Sequence, residues 1–108
     1  MRALAAGFAL LLAGCIADEN AKNAASQAYG VCTTGAVKRL DDGRSDPASV
    51  AMGVAGACAG QYAQLSIEMQ RGMITDNGQA YMREQMRSNE LRLATEAVLT
   101  YRAAQKTQ

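Results

Sequence analysis

The side chains best suited to chemistry in this sequence carry sulfur: three cysteines and two closely spaced pairs of methionines. Histidine is absent from the chain, which removes the commonest general base and the commonest metal ligand. Cys32 and Cys58 are separated by 25 residues, whereas redox pairs of the thioredoxin type are separated by two. A thiolate metal site would need further cysteine or histidine ligands. These two cysteines therefore predict a structural disulfide.

The methionine pairs are Met69 with Met73 and Met82 with Met86, each spaced four residues apart on either side of a predicted turn. Thioethers are soft ligands that suit Cu(I). Methionine at helical spacing is also a common core filler, especially where phenylalanine and tryptophan are scarce. We favour the core role and expect no cofactor. A small periplasmic metal- or ligand-binding protein that uses these pairs is the alternative function.

Other residue patterns typical of enzymes are weak or missing. Asp41 and Asp42 are paired carboxylates, but adjacent residues at a helix end point in different directions, so capping and solubility explain them. The serines have no evident base partner, and no glycine-rich phosphate loop follows a strand. The sequence therefore predicts a protein that is not an enzyme.

The N-terminal segment has the pattern of an export signal. Arg2 precedes an apolar block at residues 3–13, which is the length of a signal-peptide core and shorter than the roughly 20 residues of a membrane-spanning helix. The following motif LAGC, residues 12–15, resembles a bacterial lipobox, in which small residues precede a cysteine that is lipidated before cleavage.

This resemblance implies that residues 1–14 are a lipoprotein signal peptide, that Cys15 is acylated, and that residues 15–19 tether a helical domain at 20–108. Two or more acyl chains would hold the protein stably on a lipid bilayer. In such lipoproteins an aspartate after the cysteine often signals retention in the inner membrane. Ile16 stands there instead, which favours the outer membrane, facing the periplasm.

Cysteine parity supports lipidation. An unpaired thiol is a liability in an oxidising compartment, and acylation of Cys15 leaves Cys32 and Cys58 as an even pair. The alternative is an ordinary signal peptide cleaved just after Ala17, which would discard Cys15.

The mature chain is small and electrically balanced. Removal of residues 1–14 leaves 94 residues, enough for one domain. Arg2 leaves with the signal, so ten basic residues face ten acidic ones. A nucleic-acid partner would call for a basic surplus on one face, and we expect none.

Abundant alanine, a single proline and the lack of alternating apolar and polar stretches predict an all-α fold. Helices are predicted at about residues 20–42, 47–71 and 76–105. Gly43 is expected as a left-handed residue after the first helix. Asp46 is expected to cap the second, with Pro47 in its first position, and Asp76 with Gln79 resembles a capping box for the third.

Each predicted helix has an apolar stripe at three- and four-residue steps. The stripes comprise Ala25, Tyr29, Cys32, Ala36 and Leu40 in the first helix; Val50, Val54, Cys58, Tyr62, Leu65 and Met69 in the second; and Met82, Met86, Leu93, Ala97 and Tyr101, interrupted by Glu90, in the third. We predict a small three-helix bundle, made of a disulfide-linked antiparallel helical hairpin and a third long helix.

The register of the hairpin places the two cysteines at one height. Cys32 lies thirteen residues before Ser45, the centre of the turn, and Cys58 lies thirteen after it. Bridged cysteines need Cα atoms roughly 4.4 to 6.8 Å apart, closer than the usual 8 to 10 Å between helix axes. We therefore expect the glycines of the two helices to permit close backbone approach. These are Gly30, Gly35, Gly53, Gly56 and Gly60.

The stretch Val31–Cys58 is similar to small, uncharacterised secreted proteins of proteobacteria, which share a cysteine, an LDDG-type turn and an Ala/Gly-rich helix that ends in a cysteine. The resemblance implies structural roles for Cys32, the turn at 41–47 and Cys58, and no activity. We expect a membrane-anchored periplasmic lipoprotein with a non-catalytic accessory, structural or protein-interaction role. Its third helix could dock on a partner or a second copy. A mobile-element lipoprotein, acting in surface exclusion or lysis, is a further alternative.

Overall fold

A computed structural model describes the backbone of residues 2–107 and the side chains of residues 19–107. Every regular element in this part of the chain is an α-helix, so the predicted all-α class is confirmed. The helices are α1 (Arg2–Leu40), α2 (Pro47–Ala57), α3 (Ala59–Arg71) and α4 (Asp76–Lys106).

The helices form a three-rod bundle, in which α2 and α3 together make the second rod. This rod packs along α1, and α4 packs against α1, α2 and α3. The predicted hairpin with a third long helix is therefore present. The first rod begins at Arg2 rather than near residue 20, because the Ala/Leu-rich segment before residue 20 contains strong helix formers and no proline.

The second rod differs from the prediction of one continuous helix at 47–71, which is wrong. The helix breaks at Cys58, whose backbone has φ −109° and ψ 16°. The Cys58 N–H still donates to the Val54 carbonyl, and the Cys58 carbonyl accepts from the Tyr62 N–H, both at 3.0 Å. The disulfide fixes Cys58 to α1, with its Cα 5.9 Å from that of Cys32. The helix is therefore interrupted at a residue held by the bridge, without losing these two hydrogen bonds.

Small side chains fill the core. The largest side chains with almost no exposure are Val37, Val54, Val98 and Cys58. The predicted stripe of the second rod is confirmed, since Val50, Val54, Cys58 and Tyr62 are all buried. The predicted stripes missed four further core residues, Val37, Ala51, Ala94 and Val98. Each helix is covered by its neighbours over more of its circumference than a stripe of one residue per turn.

The expectation that five glycines allow the close approach of α1 and the second rod is supported at Gly53 alone, where an added β-carbon would lie 3.4 Å from Cδ1 of Leu40 on α1. At Gly35 the nearest atom belongs to Arg39 of the same helix. A β-carbon added to Gly30, Gly56 or Gly60 would meet nothing within 4 Å. These three glycines therefore face open space. Small side chains in the core are instead alanines such as Ala36 on α1 and Ala51 on α2, both with no exposed surface.

The turn between α1 and α2 has two of the three predicted turn and capping features. Gly43 has φ +74° and Pro47 is the first residue of α2, as expected. Asp46 is the N-cap residue, but its side chain makes no capping hydrogen bond. Its backbone carbonyl instead accepts from the N–H groups of Ser49 and Val50. Ser49 is the third helical residue, whose N–H an N-cap side chain often binds, and here that N–H donates to the Asp46 backbone at 3.0 Å.

The capping box predicted at Asp76 and Gln79 is also wrong, by one residue. Thr75 is the N-cap of α4, and its hydroxyl accepts a hydrogen bond from the Gly78 N–H at 3.0 Å. Gln79 instead donates through its side chain to the Met73 carbonyl at 3.4 Å. Threonine at the N-cap satisfies a helix-end amide as aspartate would, so α4 still begins at the predicted residue.

Candidate functional site

The disulfide predicted from the hairpin register is present. Cys32 and Cys58 are joined, with Cα atoms 5.9 Å apart. Cys58 has no exposed surface and Cys32 is partly buried. The bridge ties the C-terminal part of α1 to the junction of α2 and α3, which is a structural arrangement. The third cysteine, Cys15, is the predicted lipidation residue, and its side chain lies outside the described residues.

A second long-range tie joins the far end of α4 to the turn after α1. The Arg102 guanidinium donates to both carboxylate oxygens of Asp41, at 2.8 to 3.2 Å, and to the Ser45 carbonyl at 2.6 Å. The Asp41 side chain is only 2% exposed. Planar two-point pairing of this kind adds geometric specificity to its charge. The Asp41 carboxylate also accepts a hydrogen bond from the Gly43 N–H at 3.0 Å, so its capping role is confirmed, whereas the expectation that it is solvated is wrong.

Charge and hydrogen bonding shift the pKa values of both Asp41 and Arg102. The hydrogen bond from Arg102 is the main cause that holds the pKa of Asp41 below its usual value, and the Gly43 N–H adds to it. The same hydrogen bond raises the pKa of Arg102. An open groove of about 390 Å³ lies beside the pair, and Tyr101 and Lys106 contribute to its lining. Because Arg102 is already bound to Asp41, its charge is committed to the fold.

Asp42 has the capping role that the sequence suggested. Its carboxylate accepts hydrogen bonds from the Arg44 N–H at 2.9 Å and from the Ser45 N–H and hydroxyl, both at 2.7 Å. These bonds, with those of Ser45 the largest, lower the pKa of Asp42 to about 2. The adjacent carboxylates thus serve two structural purposes, and neither is poised as a general acid or base near neutral pH.

Two tyrosines meet in the core near the disulfide. The ring centroids of Tyr29 and Tyr62 are 5.1 Å apart with a tilt of 56°, within the range of favourable aromatic pairs. The Tyr62 hydroxyl donates to the Met86 carbonyl, whereas the Tyr29 hydroxyl is buried without a hydrogen-bond partner in the described part of the chain. Burial first, and then neighbouring groups including Glu90, raise the pKa of Tyr62 to about 12 and also raise that of Tyr29.

A buried glutamate, which the sequence analysis did not identify, lies near the other end of the bundle. Glu68 is 7% exposed and accepts from Arg71 at 2.8 Å and from Gln64 at 3.2 Å. All three residues lie on α3 at helical spacing. The sequence shows the i,i+3 and i,i+4 spacing of these residues, but it does not show that the Glu68 side chain is buried.

The four methionines have mainly packing positions. Met86 is buried in the core, and Met69 and Met82 pack against it. Met73 is half-buried beside Gly78 at the start of α4. These placements agree with core filling, and Cu(I) binding by the four sulfurs stays a prediction. Among the described residues, no group of three or more cysteine, aspartate or glutamate side chains is placed to hold a metal ion.

Several large apolar side chains remain at the surface. On α4, Tyr81, Leu91 and Leu99 are about half exposed or more, and at the turn before α4 Ile74 is 100% exposed. Within the described part of the chain, no helix combines the length and hydropathy needed to cross a membrane. Comparisons with protein-family models, with curated proteins and with solved structures found no match to this chain.

Proposed function

We propose that this protein is a periplasmic lipoprotein held on the outer membrane through Cys15, with a non-catalytic accessory or protein-interaction role. The observation that carries the proposal is the Cys32–Cys58 bridge. The chain has three cysteines, and two of them are joined to each other. Cys15, at the end of the lipobox-like motif, is therefore the odd one, as a cysteine destined for lipid would be.

The described fold is consistent with a spacer or docking body. The disulfide and the Asp41–Arg102 pair fasten the helices at two separate heights, which limits relative motion of the rods. Polar groups in the described part are engaged in caps, turns and ion pairs rather than gathered in a cleft. A stiff bundle of this kind suits presentation of a surface at a defined distance from a membrane.

The outer side of α4 is the surface we assign to a protein partner or a second copy. Tyr81 and Leu99 lie 18 residues apart, which is five helical turns, so they share one side of α4. They are 64% and 50% exposed, and Leu91 nearby is 45% exposed. Aromatic and aliphatic side chains exposed on one side of a helix are typical of helix docking surfaces.

Lipidation is tested by labelling cells with a radioactive or alkyne-bearing fatty acid. The wild-type protein should take up label, float with membranes and yield a mature N-terminus at Cys15 that carries acyl chains. Cys15→Ser should lose the label and the membrane association. A soluble mature protein that begins after Ala17 and carries no acyl group would refute the proposal.

Partner binding is tested in intact cells with a photocrosslinking amino acid at Leu99, and with one at Ser49 as a control. Ser49 is exposed and lies on α2, outside the proposed docking helix. We expect a discrete crosslinked species from position 99 and none from position 49. Equal crosslinking at both positions, or none at 99, would contradict the assignment of α4 as the docking surface.

A further inference from the structure

The turn between α3 and α4 lies at the end of the bundle that is nearest to Cys15. A β-carbon placed on Gly72 would be 3.1 Å from Nζ of Lys22, so this turn packs beside Lys22 on α1. Lys22 lies only seven positions after Cys15. That is about 10 Å along a helix and no more than about 25 Å in a fully extended chain. The opposite turn, at Gly43, lies at the far end of the same rods.

Ile74 is the apex of this turn and is fully exposed, at 100%. The turn around it is well defined. The Gly72 and Met73 N–H groups donate to carbonyls of α3 at 3.3 and 3.0 Å, and Thr75 caps α4. A fully exposed isoleucine on a hydrogen-bonded turn gains nothing from the fold and leaves its apolar surface in water, which is unfavourable.

The charges around the turn are mixed. Lys22 is exposed, and the Arg71 side chain is 69% exposed while it pairs with Glu68. Glu19 and Asp76 are also exposed at this end. Cations beside an exposed apolar residue suit a layer of lipid phosphates, but the two carboxylates offset them. Apolar insertion, rather than net charge, is therefore the main attraction to be tested.

We propose that the α3–α4 turn, with Ile74 at its apex, inserts into the interfacial layer of the same bilayer that holds the acyl chains on Cys15. This inference rests on the proposed lipidation. The occupant is a phospholipid surface, because the turn is the part of the bundle that a tether this short brings to the membrane. With a second point of contact beside the anchor, the bundle stands on its α3–α4 end and points the Gly43 turn and the C-terminal half of α4 away from the bilayer.

The test uses single tryptophans, since the chain contains none. Ile74→Trp and, as a matched control, Leu99→Trp are made in the full chain and purified as the acylated protein from membranes. Leu99 is 50% exposed and lies about 35 Å further along α4. Because both variants present the same indole, its own preference for interfaces affects both equally.

Each acylated variant is placed in vesicles of phosphatidylethanolamine and phosphatidylglycerol, with or without brominated acyl chains that quench tryptophan fluorescence. Interfacial side chains lie about 5 to 10 Å into the headgroup and acyl boundary, so quenching at position 74 should be at least about twofold stronger than at position 99. Melting temperatures close to that of the wild type confirm folding of both variants. Ile74→Ser should also leave the melting temperature unchanged, because the native side chain is fully exposed.

Equal quenching at the two positions would overturn the upright arrangement. Absence of quenching at position 74, in protein that floats with the vesicles and carries acyl chains by mass spectrometry, would overturn the inserted turn while the lipid anchor stands. Protein that neither floats nor carries acyl chains would overturn the proposed function itself, and this inference with it.

Discussion

Replacement of the outward-facing glycines by alanine should stabilise the protein. Gly30, Gly56 and Gly60 are helical, and an added β-carbon would meet nothing within 4 Å. A glycine inside a helix costs about 0.5 to 1 kcal/mol relative to alanine, because its backbone loses more freedom on folding. The native structure offers no contact that the new methyl groups would disturb.

The magnitude depends on where each glycine lies in its helix. Gly30 lies well inside α1, so Gly30→Ala should gain the full amount of about 0.5 to 1 kcal/mol. Gly56 and Gly60 lie next to the break at Cys58, where helix propensity counts for less, and about 0.5 kcal/mol each is expected. The triple variant should gain about 1.5 to 2 kcal/mol. For a domain of this size that raises the melting temperature by about 6 to 16 °C.

The assay is urea unfolding followed by circular dichroism at 222 nm, with Cys15→Ser in every variant so that lipid does not interfere. The slope of the unfolding free energy against urea should stay constant while the midpoint rises. Gly43→Ala is the control, because Gly43 has φ +74° and a β-carbon in that conformation costs about 1 to 2 kcal/mol. If Gly30→Ala destabilises the protein as much as Gly43→Ala does, the faces are packed and the reasoning fails.

Three further predictions concern the disulfide and the titrating groups. Cys32 and Cys58 lie 26 positions apart. Reduction of their bridge should lower the unfolding free energy by about 3.5 kcal/mol, because the unfolded chain regains the entropy of the opened loop. Unchanged urea midpoints with and without reductant would show that the bridge does not constrain the unfolded chain. The pKa values of Asp41 and Asp42 are lowered in the folded protein, that of Asp42 to about 2. The stability that these carboxylates contribute should therefore be present above about pH 4 and lost as the pH falls toward 2. In Asp42→Asn the melting temperature should fall less between pH 4 and pH 2 than in the wild type, and an identical fall in the variant would be evidence against the capping bonds. The pKa of Tyr62 is raised to about 12. The stability contributed by its neutral hydroxyl should therefore be present below pH 10 and lost between about pH 10 and 12. Tyr62→Phe should reduce this alkaline loss of stability, and a variant whose stability falls with pH as the wild type does would contradict the burial of the hydroxyl.

Local patterns in the sequence were sufficient for the helical class, the two turns and the cysteine pairing, though not for every helix boundary. Gly43 ends one helix and Pro47 starts the next, through backbone preferences that act within one or two residues. A short turn between two rods then forces residues at equal distances from it to the same height, which is why Cys32 and Cys58 could be paired by counting. The structure confirms both, with φ +74° at Gly43 and the cysteine Cα atoms 5.9 Å apart.

Features that depend on distant parts of the chain were missed. Arg102 and Asp41 lie 61 residues apart, and a carboxylate beside a glycine turn is explained equally well by local capping. Only the path of α4 across the bundle brings the guanidinium to that turn. The turn residue Ile74 was missed for a related reason, because its total exposure follows from how α3 and α4 meet.

The sequence by itself determined that this chain is helical, where its turns lie and which two cysteines can meet, because backbone preference, helical period and reflection about a turn are local or nearly local properties. Only the tertiary structure decided which sides of the helices are covered. Three of the five glycines expected between the rods face open space, the second rod is interrupted at Cys58, and the Asp41 carboxylate is covered by Arg102. Such outcomes depend on the rotation of each rod about its axis, and that rotation is set by the packing of all the helices together.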